Sequence, residues 1–167
     1  MYNKKDFLES IVILNEAIID FSHRFSKLAK EAAEKETDEE RKKELLVIAE
    51  NCKNVPENSP STFWESIQMV WFIHLVIQIE SNGHSASLGR VDQYLYEYYK
   101  KDVLEDKVIS KEFAKELLQC LWVKLYTIIK VRPTSHSGYG AGYPTYHNVT
   151  IGGSNYDGSD SCNELTY

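Results

Sequence analysis

The sequence is poor in the residues that staple or punctuate small folds. Its 167 residues include 3 cysteines and 4 prolines. Cys52, Cys120 and Cys162 share no CxxC or other metal-ligand spacing, which argues against zinc and iron–sulfur sites. Their odd number and the lack of a signal peptide point to a reducing, cytoplasmic setting. No apolar run is long enough to span a bilayer, since the longest, Met69–Ile79, contains His74 and Gln78. No excess of positive charge exists either: the net charge of −6 speaks against nucleic acid as a partner. There is no internal repeat and no low-complexity tract.

What is present is a globular composition, 43% hydrophobic, in a length that suits one domain over residues 1–167 with no internal boundary. From Asp6 to about Glu34, apolar residues fall at Phe7, Ile11, Leu14, Ile18, Phe21, Phe25, Leu28 and Ala32. That spacing predicts a helix with one buried stripe. Thr37 three residues before Glu40 predicts a capping box and a second helix ending near Cys52–Asn54, ahead of Val55-Pro56. Thr62 with Glu65 predicts another box, opening a helix from Phe63 to Glu80 that is apolar on most of its circumference and so belongs in an interior. Few positions of a chain this size can surround a helix on every side, which suggests a larger protein.

Further along, Lys100–Lys107 reads as a charged turn, and Ser110 as the cap of a helix from Lys111 to about Lys130. Thr134 to Gly142 reads as a loop, and Thr145–Ile151 as the one clear strand, ended by Gly152-Gly153 and followed by a turn at Asn155–Ser159. Ser161 with Glu164 predicts a capping box opening a helix that stops within one turn at Tyr167. A lone strand and a single helical turn are both unstable by themselves. The expected class is mostly α with one or few strands, in a truncated piece of a larger fold.

The most chemical stretch is Ser81–Tyr99, SNGHSASLGRVDQYLYEYY. Asn82-Gly83 marks a helix stop. His84 and Ser85 can hydrogen-bond an alcohol or carboxylate, or simply satisfy the helix end. Arg90 and Asp92 suit charge-assisted hydrogen bonds that hold a loop. His74, on a crowded apolar surface, suits a satisfied core histidine, and Trp64 and Trp71 suit a core.

This stretch, with PSTFWESIQMVWFIHLVIQIE before it and GYPTYHNVTIGG and DGSDSCNELTY after it, resembles the glycyl radical enzymes of the pyruvate formate-lyase superfamily over roughly Glu44 to Tyr167. The resemblance implies a ten-stranded α/β barrel wrapped by helices in the parent enzyme. It implies a radical C–C or C–O lyase, and NGHS is similar to the His-Ser pair that contacts substrate hydroxyls in the glycerol dehydratase branch. His84 and Ser85 are therefore the expected substrate contacts, with Thr134, Ser135 and Tyr139 as further pocket candidates from the loop that lines the family's active site. Glu97 stands where the family has proline, and Gly140 aligns with a family Phe.

The parent would carry a protein glycyl radical installed by a radical SAM activating enzyme. The reactive cysteine and the RVxGY-type glycine loop are missing, and none of the three cysteines matches the catalytic one. No catalytic, metal or cofactor-binding residue is therefore assigned, and the chain is expected to be inert alone. Its expected partners are a small-molecule substrate and the remainder of the enzyme or a second chain, with no membrane. The alternatives are a subunit of a split enzyme, or a non-enzymatic helical interaction module.

Overall fold

The computed structural model describes residues 3–81, 86–128, 133–138 and 147–167. They fall into two compact units, Met1–Pro60 and Ser61–Tyr167.

The first unit is a helical hairpin. Helix α1 spans Lys4–Lys35, and helix α2 spans Glu39–Asn54. The predicted Thr37 capping box does not form. The cap of α2 is Asp38, whose carboxylate accepts the Glu40 and Arg41 amides at 2.8 and 3.0 Å. An aspartate one residue nearer the helix takes two orphan donors where a threonine takes one. Glu36 meanwhile accepts the Thr37 and Asp38 amides. The second helix ends where expected, with Val55 as its C-cap.

Of the predicted apolar stripe of α1, Ile18 alone is buried. The buried positions are Ile18, Ser22, Ser26, Ala29 and Ala33, while Phe7, Ile11, Leu14, Phe25 and Leu28 are exposed. Small residues let α2 approach closely. Ala49 is 0% exposed, and its carbonyl accepts the Ser26 hydroxyl at 2.6 Å. Close backbone approach plus a satisfied polar contact outcompeted apolar bulk at this interface.

The second unit is built on helix α3, Phe63–Glu80, which carries the predicted Thr62–Glu65 capping box. Sequence reading missed a second cap: Asp102 accepts the Phe63 amide at 2.7 Å from 39 positions away. Strand β1 is Gly89–Arg90, followed by helices α4, Val91–Tyr94, and α5, Tyr96–Tyr99. Lys100–Glu105 is π-helical rather than a charged turn. The signal overlooked there is Val91, Leu95, Tyr99 and Val103, four buried positions each four apart, one helical stripe.

Helix α6 spans Lys111–Tyr126 under its Ser110 cap, ending short of Lys130 at Thr127, whose hydroxyl donates to the Lys124 carbonyl. Thr134–Ser137 forms one helical turn, α7, within the expected loop. Strand β2, Val149–Thr150, pairs in parallel with β1, with Gly89 opposite Val149 and Arg90 opposite Thr150. The predicted strand is therefore shorter than Thr145–Ile151 over its described residues, and it has a partner.

Phe63, Ile67, Val91, Leu95, Tyr99, Leu117 and Leu121 pack into one core. Trp64 meets Phe113 edge-on at 5.1 Å, and Trp71 lies under the Lys124 ammonium, so both tryptophans are packing residues. The expectation that α3 is covered all round holds only in part, because Ile77 and Ile79 are exposed at 46% and 66%.

The end of the chain also differs from expectation. No helix opens at Cys162, because the proposed cap is engaged elsewhere: the Ser161 hydroxyl accepts the Arg90 guanidinium. Asn163 organises a turn instead, its side chain accepting the Leu165 amide and its carbonyl the Thr166 amide. The Asn155–Ser159 turn forms as predicted.

Candidate functional site

Two polar clusters fix the segment that follows the expected substrate contacts. The first joins β1–α4 to the region after β2. Asp92, 1% exposed, accepts the Gly152 amide and the Thr166 hydroxyl, each at 2.7 Å. Its own carbonyl accepts the Asn163 side-chain amide at 3.0 Å. Arg90 donates to the Gly152 carbonyl at 2.7 Å, and Gln93 donates to the Ser161 carbonyl at 2.9 Å. Gly152 and Gly153 sit at φ +62° and +95°, a left-handed pair that turns the chain back over Arg90. A Cβ on Gly152 would lie 2.9 Å from the Cys162 sulfur. The GRVDQ residues are thus structural, as the sequence suggests.

The second cluster lies on α3. His74 and Gln78, one turn apart, are 4% and 3% exposed. The Gln78 Nε2 donates to the Ala86 carbonyl at 3.1 Å and lies 2.8 Å from His147 Nε2 and 3.2 Å from His74 Nε2. The two imidazoles meet edge to face at 4.8 Å. His74 suits the buried-histidine reading, but sequence reasoning missed Gln78 and His147. The available signal was that His74 and Gln78 are the two polar breaks in the longest apolar run.

Burial, then the neighbouring His147, pushes the His74 pKa down to about 4, and burial lowers that of His147. The sign follows from linkage. The folded state binds this proton less readily than the unfolded chain. Its full stability is therefore present above the ordinary histidine value of 6.5 and is lost as pH falls toward 4. His74 alone is expected to cost about 2–3 kcal/mol over that window. Urea midpoints measured from pH 7 to pH 4 should fall accordingly, and a flat profile would show that His74 is not shielded.

Thr134 and Ser135 open α7 and are exposed. His84, Ser85 and Tyr139 lie outside the described residues, as does Gly140. The cysteines do not form a site. Cys52 is buried in the first unit with its thiol pushed up to about 11 by desolvation. Cys120 and Cys162 are exposed, and hydrogen bonding to Asp160 raises the Cys162 thiol. Among the described residues, no group of three or more His, Cys, Asp or Glu could hold a metal ion. No described helix is long and apolar enough to cross a membrane.

Comparisons with known proteins show what the chain is similar to. A crystal structure of a glycyl radical enzyme from Archaeoglobus fulgidus superposes with a TM-score of 0.88 at 44% identity, over 93% of this chain and 20% of that one. A structure describing 1,2-propanediol dehydration in Roseburia inulinivorans superposes with a TM-score of 0.92 at 48% identity, over 95% of this chain and 19% of that one. A probable dehydratase of Escherichia coli (strain K12) is 48% identical over 166 residues, 98% of this chain and 20% of the relative. The family described as Pyruvate formate lyase-like matches residues 1–167, and the chain belongs to it. The chain spans about a fifth of the length of the relatives it matches.

Proposed function

We propose that this chain is part of a single pyruvate formate lyase-like domain in a cytoplasmic dehydratase of small hydroxylated molecules. In this reading His84 and Ser85 hold the substrate hydroxyls, and Thr134, Ser135 and Tyr139 line the same pocket. The observation that carries the reading is NGHS at the end of α3, followed directly by a segment that α3 and β2 pin. The Ala86 carbonyl takes the Gln78 amide, and the Ser87 hydroxyl accepts the Asn148 amide at 3.0 Å. The exposed Ile77 and Ile79 are faces for the rest of the enzyme, supplied by the same polypeptide or by a second chain.

The net reaction is loss of water from a vicinal diol or its analogue. A glycyl radical, installed by a radical SAM activase, supplies hydrogen-atom abstraction when present. None of the three cysteines here is fitted to relay it, so this chain's residues bind and orient only.

The test is to express the complete protein with an activating enzyme, verify the glycyl radical by electron paramagnetic resonance, and assay glycerol, 1,2-propanediol, a hydroxylated sulfonate, and pyruvate with coenzyme A. Turnover of a diol is expected, with His84→Ala lowering kcat/KM by about tenfold to a hundredfold, as for the loss of one buried hydrogen bond to substrate. Radical-loaded protein that cleaves pyruvate and dehydrates nothing would overturn the reading. The 167-residue chain by itself is expected to show no turnover.

A further inference from the structure

The polar groups that meet between α3, Ala86 and His147 are short of protons. Gln78 Nε2 lies 2.8 Å from His147 Nε2, 3.1 Å from the Ala86 carbonyl oxygen and 3.2 Å from His74 Nε2. An amide nitrogen carries two N–H groups, so three acceptors compete for two protons. Whichever two take them, one lone pair is left over. Both imidazoles act as acceptors here, because an N–H on either Nε2 would face the N–H groups of Gln78. The oxygen of the same amide, Gln78 Oε1, is buried and meets no donor among the described residues. The cluster therefore sets four acceptors against two protons. Turning the amide over does not balance the count. It puts oxygen against oxygen at Ala86 and leaves two buried N–H groups where Oε1 now stands.

A neutral donor of two protons closes the deficit. The nitrogen and oxygen of one amide are about 2.3 Å apart. The farthest of the three acceptors is 3.2 Å from Nε2, so Oε1 lies within about 5.5 Å of whichever lone pair is left over. One oxygen atom can bridge such a gap with two hydrogen bonds of about 2.8 Å each.

A cation is the wrong occupant. His74 and Gln78 are 4% and 3% exposed, and a charge buried without a counter-charge is costly. No carboxylate bonds His74, Gln78, Ala86 or His147 among the described residues, and the one charge that acts on His74 is that of His147. Both imidazoles have lowered pKa values, which agrees with surroundings that resist positive charge.

We propose that His74, Gln78 and His147 form a binding site for a neutral O–H donor, supplied by a water molecule or by a vicinal diol. Water gives both protons from one oxygen, and a diol gives one from each hydroxyl. The donor bonds Gln78 Oε1 and the lone pair that the amide nitrogen does not serve. It completes the junction at which α3 meets the segments leading into β1 and β2. The site follows from the hydrogen-bond count and stands whether or not the enzyme dehydrates diols.

The test is a pair of high-resolution crystal structures of the complete enzyme, one with 1,2-propanediol and one without any alcohol. Oxygen density is expected about 2.7–3.0 Å from Gln78 Oε1, and equally close to His74 Nε2, His147 Nε2 or the Ala86 carbonyl oxygen. An isolated peak in both crystals identifies the donor as water. Density that continues into carbon atoms, and only in the crystal with the diol, identifies it as the diol. Two outcomes would overturn the proposal. One is an N–H or O–H of the protein itself bonded to Oε1. The other is no density within hydrogen-bond distance of Oε1 in either crystal.

Discussion

Asp92→Ala is expected to destabilise the second unit by about 3–5 kcal/mol, enough to lower its melting temperature by more than about 10 °C. The carboxylate is 1% exposed and accepts two hydrogen bonds of 2.7 Å, from the Gly152 amide and the Thr166 hydroxyl. Truncation leaves the buried Gly152 amide and the Thr166 hydroxyl without their acceptor. Asp92→Asn keeps one acceptor oxygen and should lose less, about 1–2 kcal/mol. Burial opposes ionisation of Asp92, but the Gly152 amide and the Thr166 hydroxyl outweigh it, and its pKa lies below the ordinary 3.8. Stability from this group is therefore present above pH 3.8 and is lost as pH falls through the lower folded value. Thermal unfolding of the three proteins at pH 7 checks the order wild type, Asn, Ala. An Ala variant melting with the wild type would show that the network is dispensable.

Phe63→Ala should cost the same unit about 3–5 kcal/mol by a different route. Phe63 is 0% exposed at the start of α3, and its ring meets Tyr99 at 5.5 Å and 73°. Removing the ring opens a cavity in the core it shares with Leu95, at the α4–α5 junction, and with Leu117 and Leu121 on α6, which cannot all move in to fill it. The helix start itself survives, because the Asp102 carboxylate bonds the Phe63 amide rather than its side chain. Phe63→Leu retains most of the volume and should lose less than about 1.5 kcal/mol. Urea denaturation decides it: a loss below about 2 kcal/mol for the Ala variant would mean that the core closes over the gap.

Much of the helical framework was legible in the sequence because it depends on neighbours three and four residues apart. The Thr62–Glu65 box, the Ser110 cap and the end of α2 before Pro56 all formed. The misreadings have a common cause. Thr37 and Ser161 each stood at the right spacing for a cap, but Asp38 was a better acceptor and Arg90 claimed Ser161 from 71 positions away. The stretch Lys100–Lys107 reads as a turn on its charges alone, but Val103 continues the buried stripe of Val91, Leu95 and Tyr99 and makes Lys100–Glu105 helical. The motif at residues 82–85 is legible in the sequence, whereas the cluster that meets Ala86 is not, since Gln78 and His147 lie 69 positions apart.

The sequence by itself determined where helices α3 and α6 begin, the structural role of GRVDQ, and membership of the glycyl radical enzymes, because caps, periodicity and motif order are local or linear properties. Only the tertiary structure decided which face of α1 is buried, which residue partners β2, and that two histidines and a glutamine converge behind Ala86. Those outcomes depend on what arrives from elsewhere in the chain. A polar side chain in an apolar run is a fault or a foundation according to whether a distant donor or acceptor meets it, and spacing along one helix carries no record of that meeting.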